Sequence, residues 1–180
     1  MFIEGYASHI SIDSARDMVL PSAFADSIAK YGISGPKGIK LLAYHDTRMP
    51  IGAITKLEMR NSGLWMEAEL DEGISYAKDL AAAIRANGGL SYSIGYRLVD
   101  VDFIDNAPEP YFKINKLDLR EISVVTIPCN SECVMAYSDS REAKMLSDIR
   151  AMKAAFAPTG GMAQSMAEFK QAIKELKNGR

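Results

Sequence analysis

The 180 residues hold two histidines, and one of them, His45, closes the apolar stretch Ile39 to Tyr44 and is followed by Asp46. An imidazole titrates near pH 6.5, so at the end of a rigid element it can take a proton from a hydroxyl and return it to a leaving amine. Hydroxyls for that purpose occur in Gly89-Leu90-Ser91-Tyr92-Ser93-Ile94-Gly95-Tyr96. There Leu90, Tyr92, Ile94, Tyr96 and Leu98 alternate with Ser91, Ser93, Gly95 and Arg97, and period two predicts a strand from Leu90 to Val101. Two serines and a glycine leave one face of that strand almost bare, and a strand glycine often marks close approach by a ligand or another backbone. Ser91 and Ser93, two residues apart on that face, are thus both candidate nucleophiles. Glu121, which heads Glu121-Ile122-Ser123-Val124-Val125, supplies a carboxylate able to orient an imidazole. Each residue also has an ordinary reading: a surface-turn histidine, a solvated serine face, and a salt bridge from Glu121 to Arg120 or Arg97. His9, in a polar connection, is the plainer histidine.

Other chemistries find less support. Cys129 and Cys133 have no second pair and no nearby histidine, so neither a metal site nor a disulfide framework is expected. No Gly-rich phosphate loop, glycosidase-like carboxylate pair or basic-aromatic patch is present, and no cofactor is expected. A net charge of -2 and a pI near 5.7 give no pull toward nucleic acid or an anionic membrane. No apolar run approaches the roughly 20 residues of a membrane span, and the start lacks the pattern of a signal peptide. A reduced, cytoplasmic setting is the default. Tyr6, Tyr44, Tyr92 and Tyr96 suggest a small-ligand pocket as a competing reading, and Cys129 as the centre of an unrelated enzyme is a third.

The elements that must position these residues follow from pattern and punctuation. Strands are expected at Phe2–Ser8, Ile39–Tyr44, Ile51–Met59, Leu64–Leu70, Leu90–Val101, Tyr111–Leu119, Glu121–Ile127 and, shorter, Cys133–Tyr137. Helices are expected from Pro21 or Ser22 to about Lys30 and over Ile74–Ala86, the latter stopped by Asn87-Gly88-Gly89. From Ser138 the character changes: Ser140–Ala155 reads as helix, residues 157–161 as a Gly-containing break, and Met166–Lys177 as a second amphipathic helix. Residues 1–140 are read as one folded domain and residues 141–180 as a helical arm and tail. The fold class expected is mainly β with flanking helices (α+β), an antiparallel, closed or partly closed β-barrel with a C-terminal helical arm. Met145, Met152, Met162 and Met166 suit packing or partner binding better than a cofactor site.

Several of these motifs occur together in a fixed order: Glu4-Gly5-Tyr6-Ala7-Ser8, Asp17 to Phe24, Leu41-Leu42-Ala43-Tyr44-His45-Asp46 with Pro50-Ile51-Gly52, Gly63-Leu64-Trp65, Leu90 to Tyr96, and Leu119 to Val125 with Pro128-Cys129-Asn130. In this, residues 3–137 resemble the prohead proteases of tailed phages, capsid-maturation serine proteases related to herpesvirus assemblin. That family usually carries Gly where this chain has Ser22, and commonly Ala near Cys129. The resemblance implies an assemblin-like barrel and a serine endopeptidase with His45, Ser93 and Glu121 as its triad. It names Arg97 or Arg120 as candidates to help the oxyanion. It implies the scaffolding segment of the major capsid protein as substrate, cleavage of the protease itself, self-association as a dimer, and action in the host cytoplasm inside the assembling procapsid. The alternative is an inactive barrel that serves as a capsid scaffold or chaperone through its C-terminal arm.

Overall fold

In the computed structural model, which describes residues 1–155, the elements run β1 (Phe2–His9), β2 (Asp17–Val19), a 3-10 turn (Pro21–Phe24), α1 (Ala25–Tyr31), β3 (Lys40–Ala43), β4 (Pro50–Arg60), β5 (Gly63–Leu70), α2 (Ser75–Asn87), β6 (Ser91–Ile104), β7 (Tyr111–Val125), β8 (Met135–Ser138) and α3 (Arg141–Ala155). The body, Met1–Arg141, is one compact unit, and most of α3 lies in a second unit that begins at Glu142. The expected helix Met166–Lys177 falls outside the described residues.

Alternation builds the strands. In β5, Leu64, Met66, Ala68 and Leu70 all point inward and are at most 2% exposed, while Trp65, Glu67 and Glu69 turn outward. Helix α2 buries Ala77, Leu80, Ala81 and Ile84, a spacing of three and four that makes a single apolar stripe. It stops where predicted. Gly88 takes the left-handed conformation at φ 70°, and the Gly89 N–H returns to the Ile84 carbonyl at 2.9 Å. That reversal delivers the chain to Ser91 and sets the start of β6.

Two parts of the expected architecture change. The sheet is mixed, because β2 and β3 both run parallel to β7. Each reaches β7 over a long connection, which is what parallel pairing requires. Nor does the sheet close into a barrel. Its path runs β2-β7-β3-β4-β5-β1-β8 with β6 paired to β7 alone. Across the remaining gap there is an isolated Ser91–Val134 bridge, with Tyr92 N–H bonded to the Cys133 carbonyl and Met135 N–H to that of Leu90. Beyond it, the ground between β6 and the end of β1 is occupied by the 129–133 segment and a cavity of about 170 Å³.

The two strands expected at 111–119 and 121–127 are one strand of 15 residues, which pairs with β6, β2 and β3. Residues 112–114 carry β2 and residues 121–124 carry β3 along the same edge. Between these two partners the Leu117 carbonyl and the Leu119 N–H have no strand to pair with. The buried hydroxyl of Ser27 in α1 serves both, donating to one at 2.9 Å and accepting from the other at 2.9 Å. Phe24, fully buried, anchors the same helix in the core.

Candidate active site

Register on β7 decides which side chains meet. Ser93 lies opposite Ser123 and Gly95 opposite Glu121, so these four share one face, with Tyr92 and Ile94 facing the other way beside Val124 and Ile122. On the other side of β7, Lys40 pairs with Glu121 and Leu42 with Ser123. Strand β3 therefore ends one residue past Ser123, and the chain turns there over the same face.

That turn brings in the imidazole. Tyr44 and His45 both lie in the left-handed region, at φ 54° and 59°. Two successive non-glycine residues there are uncommon, and such strain is held only by surroundings that over-determine it. Here the Tyr44 N–H bonds to the Val124 carbonyl at 3.0 Å and the His45 N–H to Ser123 Oγ at 2.9 Å. Asp46 closes the turn through its N–H to the Ala43 carbonyl at 2.9 Å. Its carboxylate is hydrogen-bonded by the Arg48 side chain and backbone N–H, which brings its pKa down to about 2. Asp46 thus stays charged within the turn.

His45 Nδ1 then meets Glu121 Oε1 at 2.6 Å. The other carboxylate oxygen, Oε2, accepts the Ser123 hydroxyl at 2.7 Å. A carboxylate only accepts, so the proton in the first bond sits on Nδ1, and in the neutral ring the lone pair is then on Nε2. The Glu121 side chain is 10% exposed and that of His45 42% exposed, so the carboxylate is enclosed while the ring is reachable. Gly95 makes the seat possible: a Cβ there would overlap Glu121 Oε1 and lie 2.7 Å from its Cδ. The close approach expected at this glycine is made by a side chain of the neighbouring strand.

The alternatives resolve differently. Glu121 pairs with neither Arg97 nor Arg120. Arg120 is engaged with Asp118 at 2.6 Å and lies over the Tyr31 ring, while Arg97 is exposed. The four tyrosines do not share a pocket. Tyr92 and Tyr96 line the 170 Å³ cavity, Tyr6 packs edge-on against Trp65, and Tyr44 is half exposed on the turn. That volume is below the usual range for a small-molecule site. His9 belongs to a polar knot: its Nδ1 meets Ser11 Oγ at 2.9 Å, and Asn130 Nδ2 donates to the carbonyls of His9 and Ser11. Burial pushes the Cys133 thiol up to about 12, and Cys129 is exposed with its sulfur 3.3 Å from Ser14 Oγ. Among the described residues no cluster of His, Cys, Asp and Glu is arranged to hold a metal, and no helix is long and apolar enough to cross a membrane.

Residues 1–148 match the model of the caudovirus prohead serine protease family. The chain belongs to that family. This assigns it to the serine peptidases. It is 37% identical over 131 residues to the prohead protease of Escherichia phage T5, which covers 72% of this chain and 59% of that protein. It is 30% identical to the prohead protease of Enterobacteria phage HK97 over 98% of this chain and 78% of the relative. The chain thus spans a little under three fifths of the T5 protein's length. Among solved structures, the varicella-zoster virus protease aligns with a TM-score of 0.47 at 11% identity, over 83% of this chain and 76% of that one. The KSHV protease in complex with a hexapeptide phosphonate inhibitor aligns with a TM-score of 0.44 at 11% identity, over 83% and 76%.

One residue of this face, Ser123, escaped the sequence reading, and a second, Gly95, was read only in part. Ser123 was visible only as a polar member of an apolar strand, and its faint signal was its parity with Glu121. Gly95 was visible as a gap, without a sign of what fills it.

Proposed function

We propose that the chain is a capsid-maturation endopeptidase that works by acyl transfer, with Ser93 as nucleophile, His45 as general base and acid, and Glu121 as the group that orients the imidazole. The observation that carries this reading is the 2.6 Å pair of His45 and Glu121, whose carboxylate lies against Gly95, two residues from Ser93 on the same face of β6. In the reaction Nε2 takes the Oγ proton as Oγ bonds to the scissile carbonyl carbon. The C–N bond then breaks as the same proton passes to the leaving amine, and water repeats the sequence to release the acid. Glu121 stays ionised and stabilises the imidazolium in its Nδ1–H form. Ser93 is preferred to Ser91 because Ser93 stands opposite Ser123, closer along β6 to Gly95 and the carboxylate.

The substrate in this reading is the scaffolding segment of the major capsid protein inside the assembling procapsid, in the host cytoplasm, with cleavage of the enzyme itself and association into a dimer as finer claims. A fluorophosphonate, which phosphonylates activated serines whatever the peptide specificity, tests the nucleophile directly. Mass spectrometry is expected to place the adduct on Ser93, with labelling lost in Ser93→Ala and His45→Gln and kept in Ser91→Ala. Intact mass of the co-expressed capsid protein is expected to show shortening with the native chain and none with Ser93→Ala. An adduct on Ser91, or shortening by both versions, would sink the assignment. An uncut capsid protein in assembled particles would favour a scaffold role instead.

A further inference from the structure

Ser123 holds a position that the triad reading leaves unused. It is fully buried, so it is no nucleophile for an incoming peptide. Its hydroxyl instead makes a second tie between the His45 turn and the Glu121 carboxylate, beside the ring's own bond to Oε1. It accepts the backbone N–H of His45 at 2.9 Å, fixing the left-handed turn that aims the ring, and donates to Glu121 Oε2 at 2.7 Å, fixing the carboxylate that the ring must meet. A hydroxyl has one proton and two lone pairs, so both bonds are made at once and in one polarity. With Oε2 held by Ser123, Oε1 is presented to Nδ1 in the space that Gly95, lacking a Cβ, leaves open.

We infer that Ser123 is a positioning residue for the protease reaction, locking the His45 turn and the Glu121 carboxylate into a single unit through one bridging hydroxyl. The inference rests on the proposed roles of His45 and Glu121. Without the hydroxyl, the buried Oε2 and the His45 N–H both lose their partner, and the cheapest repair is for the carboxylate to rotate toward the turn and away from Nδ1.

The test uses the full chain and two readouts. In the first, fluorophosphonate labelling is followed at increasing reagent concentration to separate kinact from KI. Ser123→Ala is expected to lower kinact about 10- to 100-fold, the usual scale for an outer partner that orients a working histidine, with KI unchanged. Ser123→Thr, which keeps the hydroxyl, is expected to recover most of the rate. Because Ser123 acts through Glu121, Ser123→Ala is expected to add little in a Glu121→Gln background. The second readout is the His45 Nδ1 proton in chain labelled with nitrogen-15 histidine, assigned with His9→Gln. A slowly exchanging, downfield proton is expected in the native chain and in Ser123→Thr, and its loss in Ser123→Ala. If Ser123→Ala does not fold, Ser123→Cys, a weak donor in the same place, replaces it. An unchanged proton signal with kinact within twofold overturns the inference, as does the same loss of rate with or without Glu121. If His45→Gln labels at the native rate, or nothing labels, the triad reading has failed on its own. The proton signal then decides for Ser123: its loss supports the bridge and its persistence overturns it.

Discussion

Gly95 shows how much a single missing side chain can govern. Its backbone is not in the left-handed region, so alanine suits the local conformation, and the effect of a methyl group is wholly steric. That methyl would sit where Glu121 Oε1 now lies, 2.9 Å from Cγ as well, so rotating the carboxylate alone does not relieve it. The carboxylate must withdraw, and the 2.6 Å bond to His45 Nδ1 goes with it. Gly95→Ala is therefore expected to cut the rate of Ser93 labelling by about 100-fold or more while lowering stability by only about 1–3 kcal/mol, the scale of overpacking. Labelling kinetics beside a urea titration separate the two. A large loss of stability with the rate intact would show that the glycine serves the sheet and leaves the pair undisturbed. The sequence hinted at this position, since a bare strand face of Ser91, Ser93 and Gly95 invites something to approach. It could not say what, because the visitor stands 26 residues along the chain and only the register of β6 on β7 brings it there.

Strand β7 is where sequence reasoning and structure part most clearly. Simple alternation found β5, and an alanine-rich run with a glycine stop found α2, because both signals are local. Two strands were read where β7 is one, because Arg120 interrupts the pattern between Leu119 and Glu121. The interruption is real: opposite Gly95 and Tyr96 the register skips Arg120, which is a bulge in a continuous strand. Parallel pairing was likewise hidden, since the partners β2 and β3 are three and four residues long and distant in sequence. The same holds for the site, where His45, Ser93 and Glu121 stood out by residue type and motif while Ser123 did not, its meaning lying in a contact across 78 residues. Ser27 is the clearest consequence of this layout, for its hydroxyl alone fills the gap between β2 and β3 on the β7 edge. Ser27→Ala leaves a buried carbonyl and a buried N–H without partners, a cost on the order of 2–4 kcal/mol. Urea unfolding measures that loss directly, and below the transition Ser93 labelling is expected to stay near native. A change under about 0.5 kcal/mol, the scale of an ordinary surface substitution, would mean that β7 does not depend on α1 for its edge.

The place where the sheet fails to close is also where the whole molecule answers to pH. Tyr92, Tyr96 and Cys133 all line the cavity between β6 and the 129–133 segment. Burial raises all three: Tyr96 to about 12, with Asp17 adding to it, Cys133 to about 12, and Tyr92 well above its usual value of 10.0. In the unfolded chain the thiol titrates near 9.0 and the phenols near 10.0. Between those values and about 12 the folded state holds protons that the unfolded state has released, so stability falls as pH rises. The full contribution is present below about pH 9, and none of it is lost on the acid side. Urea midpoints are expected to be level with respect to these groups up to about pH 9 and to decline steadily toward pH 11. Tyr96→Phe removes one titrating group and is expected to make the decline shallower without altering its onset, which the Cys133 thiol sets. The Cys133→Ala variant is expected to move that onset up toward pH 10. If the midpoint stays flat to pH 11 in the native chain, these side chains are not sealed from water, and the gap beside β6 is open to solvent on the timescale of unfolding.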